Sequence, residues 1–393
     1  MPERSRPPAF REARRDSLIF GRPSIGEAEI AEVVDSLRSG WIGTGPKVAR
    51  FEAALGEYLG VPHVRCLSSC TASLYLALRL AGIGHGDEVI VPAMTFLATA
   101  NAVEHAGATP VVVDVEPDTG LIALDAAEAA VTPRTRAVIP VHLAGRPVDL
   151  GAVAAMAAVD GLEVIEDAAH AIGGELGGRR IGAHGNLTAF SFYANKNVST
   201  GEGGALVCPD AEQFERARRL AQQGLSDNAW ARFNGSEPRG SGAGEPGFKH
   251  NMADLQAALG IHQLARLDES IALREAQWAD YDDGLASLPL TLPPPPAPGT
   301  RHARHLYRVL VEPDAPLSRD DLVLALRARR IGTGVHYRAL HTHPYYRDRY
   351  AIDPHSLPVA TDMAQRTLSL PLGPSVTPDD QADVIAALHD ELG

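Results

Sequence analysis

Lysine is scarce in this chain. Of 36 basic residues only Lys47, Lys196 and Lys249 are lysines; the other 33 are arginines. A GC-rich coding bias is the plain explanation of that ratio. Even so, arginine holds its proton at any working pH and forms no imine, whereas a lysine amine can lose a proton and attack a carbonyl. Each lysine is therefore a candidate for chemistry that arginine cannot do. Lys196 has the most suggestive setting. It lies in Phe190-Ser191-Phe192-Tyr193-Ala194-Asn195-Lys196-Asn197, just past an apolar run and before the glycine turn Gly201-Glu202-Gly203-Gly204. Desolvation in such a pocket lowers an amine's pKa and makes it a nucleophile or base.

Two further segments belong beside it. Ser68-Ser69-Cys70-Thr71-Ala72-Ser73 closes a short apolar run and opens a helical pattern. That geometry offers free N–H groups, hydroxyls and a positive dipole end to an anion. Val164-Ile165-Glu166-Asp167-Ala168-Ala169-His170 delivers two acids at the C-terminal end of a strand, where open α/β sheets place ligands. Taken singly, each has a simpler explanation: an ordinary Ser/Thr helix cap, a turn with solvated carboxylates and a packed histidine, a surface lysine. Taken together, an anion cradle, a carboxylate and a lysine are the set that pyridoxal 5'-phosphate (PLP) needs. The lysine serves its aldehyde, the acid its ring nitrogen, and the N–H groups and hydroxyls its phosphate.

These segments sit in a chain that alternates short apolar runs with amphipathic stretches. Periodicity predicts strands at 64–67, 88–91, 110–115, 137–142, 163–166, 189–193 and 205–208. Between the first five it predicts helices at 71–81, 97–105, 124–130 and 150–159. This rhythm implies an α/β fold, with a mostly parallel seven-stranded sheet covered on both faces. Helices are expected earlier, at 26–38 (Ile30, Val33, Val34, Leu37) and 48–59, and later at 252–267 and 271–285. After a proline connector at 293–296 comes a smaller α/β unit: strand 307–311, helix 320–329, strands 333–336 and 368–370, helix 379–388. The expected division is a loose arm at 1–18, a large domain at 19–265 and a small C-terminal domain at 266–393. The glycine-rich stretch 225–247 is expected to be a functional or disordered loop.

The net charge of −13 argues against non-specific binding to nucleic acid or to an anionic membrane. No apolar run is long enough for a membrane span. The Arg-rich start lacks the apolar core of a secretory signal. Cys66, Cys70 and Cys208 have no metal-ligand spacing, so no metal is expected, and their small odd number suits a reducing cytoplasm.

On these residues the chain resembles the DegT-type nucleotide-sugar aminotransferases, which have the aspartate aminotransferase fold (type I). The resemblance runs from about Phe20 to Leu388. Its marks are Ser69-Cys70-Thr71-Ala72, residues 92–98, Glu166-Asp167-Ala168-Ala169-His170, the block ending at Lys196, Gly201-Glu202-Gly203-Gly204, and residues 247–251. The resemblance implies that Lys196 carries the cofactor and that Asp167 pairs with its ring nitrogen. Phe96 and His170 would lie against the two ring faces. Cys70 and Thr71, helped by Ser191, would hold the phosphate. Asn251 would reach the phosphate of a neighbouring subunit, because the family builds each site across a homodimer interface; alternatively Asn251 caps the helix expected near Met252. Many members have Gly in place of Cys70 and Gln in place of His170. A backbone N–H would serve the phosphate in the first case, and His also occurs in members acting on 4-keto sugars. Relatives that dehydrate sugars carry His at the lysine position, so Lys196 favours transamination.

The segment Gly332-Thr333-Gly334-Val335-His336-Tyr337-Arg338-Ala339-Leu340-His341 resembles relatives that aminate C4 of a UDP- or dTDP-linked sugar. Relatives acting at C3 tend to have prolines after the His-Tyr pair. His336, Tyr337 and Arg338 are thus the expected substrate-binding residues, Arg338 facing a diphosphate. The resemblance also implies glutamate as amino donor. The alternatives are amination of a 3-keto sugar or a keto-cyclitol by the same machinery, or a non-catalytic regulatory protein of the same fold, which would have little need for Lys196.

Overall fold

The computed structural model describes residues 14–225, 242–353 and 355–393. Seven strands form one sheet in the spatial order Val64–Leu67, Gly204–Val207, Leu187–Ser191, Glu163–Asp167, Thr135–Val138, Glu88–Pro92, Thr109–Val113. Gly204–Val207 runs antiparallel to both neighbours; the remaining pairs are parallel. Most strand residues are buried because both faces are covered, although Arg65, Arg136, Glu166 and Thr188 interrupt the apolar runs. Ala189 and Leu206 pack under helices Cys70–Leu80 and Leu97–Ala106. Phe190, Ala205 and Val207 pack on the other face with Phe51 and Leu55 of helix Pro46–Leu59 and Ala257 of helix Asp254–Ala265.

A second core lies around the antiparallel sheet Leu290–Thr291, Tyr307–Val311, Thr367–Leu370. Trp278 and Tyr281 of the long helix Leu267–Leu285 join Leu322, Leu326, Val384 and Leu388 there. The strand expected at 333–336 does not form. Only Gly334 pairs, with Ser369, in an isolated bridge. The His336 ring folds back over Gly334, where an added Cβ would lie 2.4 Å from it, and hydrogen-bonds Ser369. The chain bends there instead of extending the sheet.

Of the loose arm expected at 1–18, residues 1–13 lie outside the described residues and the rest is held. Arg14 pairs with Asp380 and Asp383, and Leu18 is buried and bridged to Ile331. Most of the expected 225–247 loop, residues 226–241, also lies outside the described residues. Helix Glu27–Ser39 forms where spacing places it, but its two buried residues are polar. Glu29 and Ser36 are buried, whereas Ile30 and Leu37 are 46% and 57% exposed. Glu29 takes the inner face because it accepts from the Gly26 N–H (3.0 Å) and Gln263 (2.8 Å) and pairs with Arg266. No described helix is long and apolar enough to cross a membrane.

Candidate active site

The ends of strands Glu163–Asp167 and Leu187–Ser191 and the start of helix Cys70–Leu80 surround a cavity of about 510 Å³. That size is within the ~300–1,000 Å³ of small-molecule sites. Cys70, Thr71, Phe96, Asp167, His170, Ser191, Lys196, His336 and Tyr337 all line it. Residues expected from five remote stretches of sequence thus converge, and Tyr193, Asn195 and Glu202 join them.

Asp167 and Glu166 are adjacent in a strand and so face opposite sides of the sheet. Asp167 faces the cavity. Its carboxylate accepts from Thr99 Oγ1 (2.8 Å) and from the Ala169 N–H (3.1 Å). Because the Thr99 hydrogen is committed to Asp167, Thr95 must donate to Thr99 across the 2.7 Å between their hydroxyls. Burial raises the Asp167 pKa; Thr99, Ala169, the Lys196 charge and His142 pull it back. Glu166 points the other way, to His142 Nε2 (3.0 Å) and Asn186 (2.8 Å).

Lys196 follows the strand in a tight turn, its N–H bonded to the Tyr193 carbonyl (2.9 Å). Burial lowers the amine to about 8, partly offset by Cys70 and Asp167. The Cys70 thiol is pushed well up by burial and by Asp167, so it stays protonated. Ser69 caps the helix, its Oγ accepting from the Ala72 N–H (3.1 Å). The glycine turn explains how the cradle closes. A Cβ on Gly204 would lie 2.5 Å from the Cys70 nitrogen, and one on Gly203 2.2 Å from Thr200 Oγ1. Strand Gly204–Val207 can therefore run beside the helix start only if it begins with glycine.

His170 accepts at Nδ1 from the Ala144 N–H (3.1 Å) and meets Tyr337 Oη at Nε2 (2.9 Å). Its ring lies 4.4 Å from that of His305. Burial holds both imidazoles well below the ordinary histidine pKa, so both are neutral. Phe96, 58% exposed, stands 5.8 Å from the Tyr337 ring.

Two expected residues are not brought to the cavity. Arg338 is exposed and folds onto Thr342, donating to its Oγ1 (3.1 Å) and carbonyl (2.7 Å). Asn251 bonds Thr44 and bridges Leu67 behind the cradle, its Oδ1 buried without a partner. It does not cap a helix: Asp254–Ala265 is capped by Ala253, whose N–H bonds Gln256 (2.9 Å). Thr99, Ala144 and His305 were missed. Thr95 and Thr99, one helical turn apart beside Phe96, gave the only sequence signal among them.

Residues 23–389 match the model of the DegT/DnrJ/EryC1/StrS aminotransferase family. The chain belongs to that family. The spore coat polysaccharide biosynthesis protein SpsC of Bacillus subtilis (strain 168) is 45% identical over 379 residues, 96% of this chain and 97% of SpsC. DesV of S. venezuelae, solved with a ketimine intermediate, superposes with TM-score 0.84 at 39% identity, covering 92% of this chain and 93% of DesV. Spr1654 of Streptococcus pneumoniae, assigned as a sugar aminotransferase, superposes in its PMP form with TM-score 0.88 at 33% identity, over 94% and 98% of the two chains. It has also been solved in a PLP form. This DegT-family chain is a PLP-dependent sugar aminotransferase. Its residues fit the cofactor: an amine of lowered pKa, a buried hydrogen-bonded carboxylate and a glycine-bordered helix start share one cavity.

Proposed function

We propose that this chain transfers an amino group, from glutamate, to C4 of a UDP- or dTDP-linked 4-keto sugar, giving a 4-amino-deoxy sugar nucleotide. The observation that carries the reading is the convergence of Lys196 and Asp167 with His336 and Tyr337 on one cavity. The first pair supports amino transfer. The second comes from the segment whose wording resembles 4-aminating relatives. Arg338, turned onto Thr342, adds no support for a diphosphate contact.

Lys196 is the group that moves a proton at the amino carbon. An amine of pKa about 8 is partly neutral near neutrality, so it takes a proton and returns one without a large penalty either way. PLP, when bound, supplies an electron sink for the carbanion so formed. Asp167 holds a proton on the ring nitrogen, and the Thr95–Thr99 relay and the Ala169 N–H keep its carboxylate aimed there. The N–H groups at Cys70 and Thr71, with Ser191, bind the phosphate at a helix start. Phe96 and His170 confine the ring, and a neutral His170 adds no charge to compete with Lys196.

The functional unit of this reading is a homodimer with shared sites. Ile30 and Leu37, exposed on a helix whose buried residues are Glu29 and Ser36, support a partner on that face. Asn251 would serve the partner's phosphate through Nδ2, its only donor, which in the single chain is given to Thr44 Oγ1 and would have to turn from it.

The deciding experiment incubates the holoenzyme and glutamate with UDP- and dTDP-linked 4-keto sugars, 3-keto sugars and a keto-cyclitol, read by mass spectrometry. Amination of a 4-keto sugar nucleotide is expected; preferential amination of either other class would replace the reading. Mixing inactive Lys196→Ala and Asn251→Ala proteins tests the shared site: partial recovery of activity is expected, and none, with subunit exchange verified, would assign Asn251 to its own chain.

A further inference from the structure

The hydrogen bonds around His170 have a direction, and it reaches the cavity. The Ala144 N–H can only donate, so His170 Nδ1, 3.1 Å away, must be an acceptor and carries no proton. A neutral imidazole then has its hydrogen on Nε2, which donates to Tyr337 Oη at 2.9 Å. The Tyr337 hydroxyl accepts there, so its own hydrogen is free to point elsewhere, and Tyr337 lines the cavity.

The rest of the surroundings fixes this arrangement. His305 Nδ1 lies 3.2 Å from Asn197 Oδ1 while Asn197 Nδ2 donates to the Ala303 carbonyl (2.6 Å), so Asn197 Oδ1 is an acceptor and His305 Nδ1 the donor. His305 thus holds one orientation against the His170 ring. On the other side, Gly145 has φ +94°, and a Cβ there would lie 2.9 Å from the His170 carbonyl oxygen and 3.1 Å from the His305 nitrogen. Only glycine lets the turn bearing the Ala144 N–H seat this close.

We infer that Tyr337 presents its hydroxyl hydrogen to the cavity and donates it to an acceptor oxygen of the keto sugar, with His170 and the Ala144 amide as positioning groups. Tyr337 is then a specificity residue for an oxygen, and His170 sets its polarity as well as flanking the ring. The inference rests on the sugar reading above for the identity of the ligand, but not for the polarity.

Two measurements test it. The first is nitrogen NMR of histidine-labelled holoenzyme at neutral pH. With 15 histidines in the chain, the His170 signals are assigned by their loss in His170→Gln. A proton on Nε2 with bare Nδ1 is expected; a proton on Nδ1 overturns the chain of donors. The second uses side chains of similar size and opposite polarity. In His170→Gln the amide accepts from Ala144 and still donates to Tyr337, whereas in His170→Glu the carboxylate accepts from both and turns the Tyr337 hydrogen away. His170→Glu should be about tenfold below His170→Gln in kcat/KM for the sugar. Combined with Tyr337→Phe, that gap should close. A gap that persists in the Tyr337→Phe background overturns the proposal, since Glu would then act by charge on the cofactor alone. The amino-acid half-reaction of each variant, read from cofactor absorbance, shows that it is folded and loaded. Failure of the unaltered enzyme to aminate any keto sugar would overturn the sugar reading, while the nitrogen spectrum still decides the polarity.

Discussion

Lys47 and Lys196 are the same residue in opposite circumstances. Lys47, at the start of helix Pro46–Leu59, reaches helix Glu27–Ser39, where its amine meets Glu32 Oε1 and Asp35 Oδ2 at 2.8 Å each and the Glu32 carbonyl at 2.7 Å. Burial alone would lower its pKa, but the two carboxylates outweigh it and the pKa is raised. Lys196 is lowered by burial to about 8, and the Asp167 charge that opposes this acts without a hydrogen bond to the amine. Burial makes a lysine reactive only where no carboxylate holds its proton. One region uses the cation as a strut; the other keeps an amine that can release its proton.

The contrast is sharpest on exchange for arginine, which keeps the charge and loses the amine. Lys196→Arg and Lys196→Ala should both lower turnover by at least about 10³-fold, the size of a lost general base. Lys47→Arg should leave turnover within a few-fold of the parent. Steady-state kinetics of the four proteins decide it. Borohydride reduction of the holoenzyme should fix the cofactor on Lys196; a fixed label on Lys47 or Lys249 would break the comparison.

The next effect is reactivity toward a neutral acylating reagent in cofactor-free protein. Only the unprotonated amine reacts. With pKa about 8, roughly a tenth of Lys196 is neutral at pH 7, against a few parts in ten thousand for an ordinary lysine, so it should label roughly two-hundredfold faster. Its labelling should rise with pH and level off above about 8, while Lys47, with its pKa raised, continues to climb. Peptide mass spectrometry reads both sites in one sample; parallel pH curves would mean that the two environments do not differ as described.

Removing the acid that complements Lys196 should cost somewhat less. Asp167→Ala is expected to lower kcat about a hundredfold at saturating cofactor, comparable to loss of one preorganised electrostatic partner. Asp167→Glu should retain part of the activity. Near-parental kcat in Asp167→Ala would show that the carboxylate does not serve the ring nitrogen.

What the sequence disclosed of this contrast follows the range over which each cause acts. The Lys196 block, the Asp167 strand end and the Cys70 helix start are local patterns, and the parallel sheet brings them together without further instruction. Thr99, Ala144 and His305 reach the site through contacts with Asp167 and His170 that no local pattern signals. The spacing of Ile30, Val33, Val34 and Leu37 predicts a helix, but periodicity cannot say that Glu29 would find partners inside and leave Ile30 and Leu37 facing outward. Likewise 333–336 has the composition of a strand, and only the His336–Ser369 bond shows why the chain bends. The identity of Arg338 suggested an anion; its side chain found Thr342 first.

The smallest expected effect lies on the strut. Lys47→Ala removes a partner from Glu32, which keeps Arg50 (2.8 Å) and His262 (3.0 Å), and from Asp35, whose exposed carboxylate is then solvated by water. The loss should be about 1 kcal/mol, between an exposed ion pair and a charged hydrogen bond, and about one degree in melting temperature. Its pH dependence has a definite sign. Desolvation raises the Glu32 pKa, but Arg50, Lys47 and His262 outweigh it and hold the carboxyl at about 2, below its ordinary 4.5. A carboxylate with a depressed folded-state pKa contributes stability that is present above the unfolded value and is lost as pH falls through the folded one. The melting difference between the parent and Lys47→Ala should therefore be constant above pH 4.5 and shrink toward about 2. At the alkaline end, the raised Lys47 pKa means its contribution persists through the ordinary lysine range and fades only above it. Calorimetry across pH checks both limbs. A difference that instead grows on acidification would mean that Lys47 is held by burial rather than by Glu32 and Asp35, and the distinction between the two lysines would then rest on Lys196 alone.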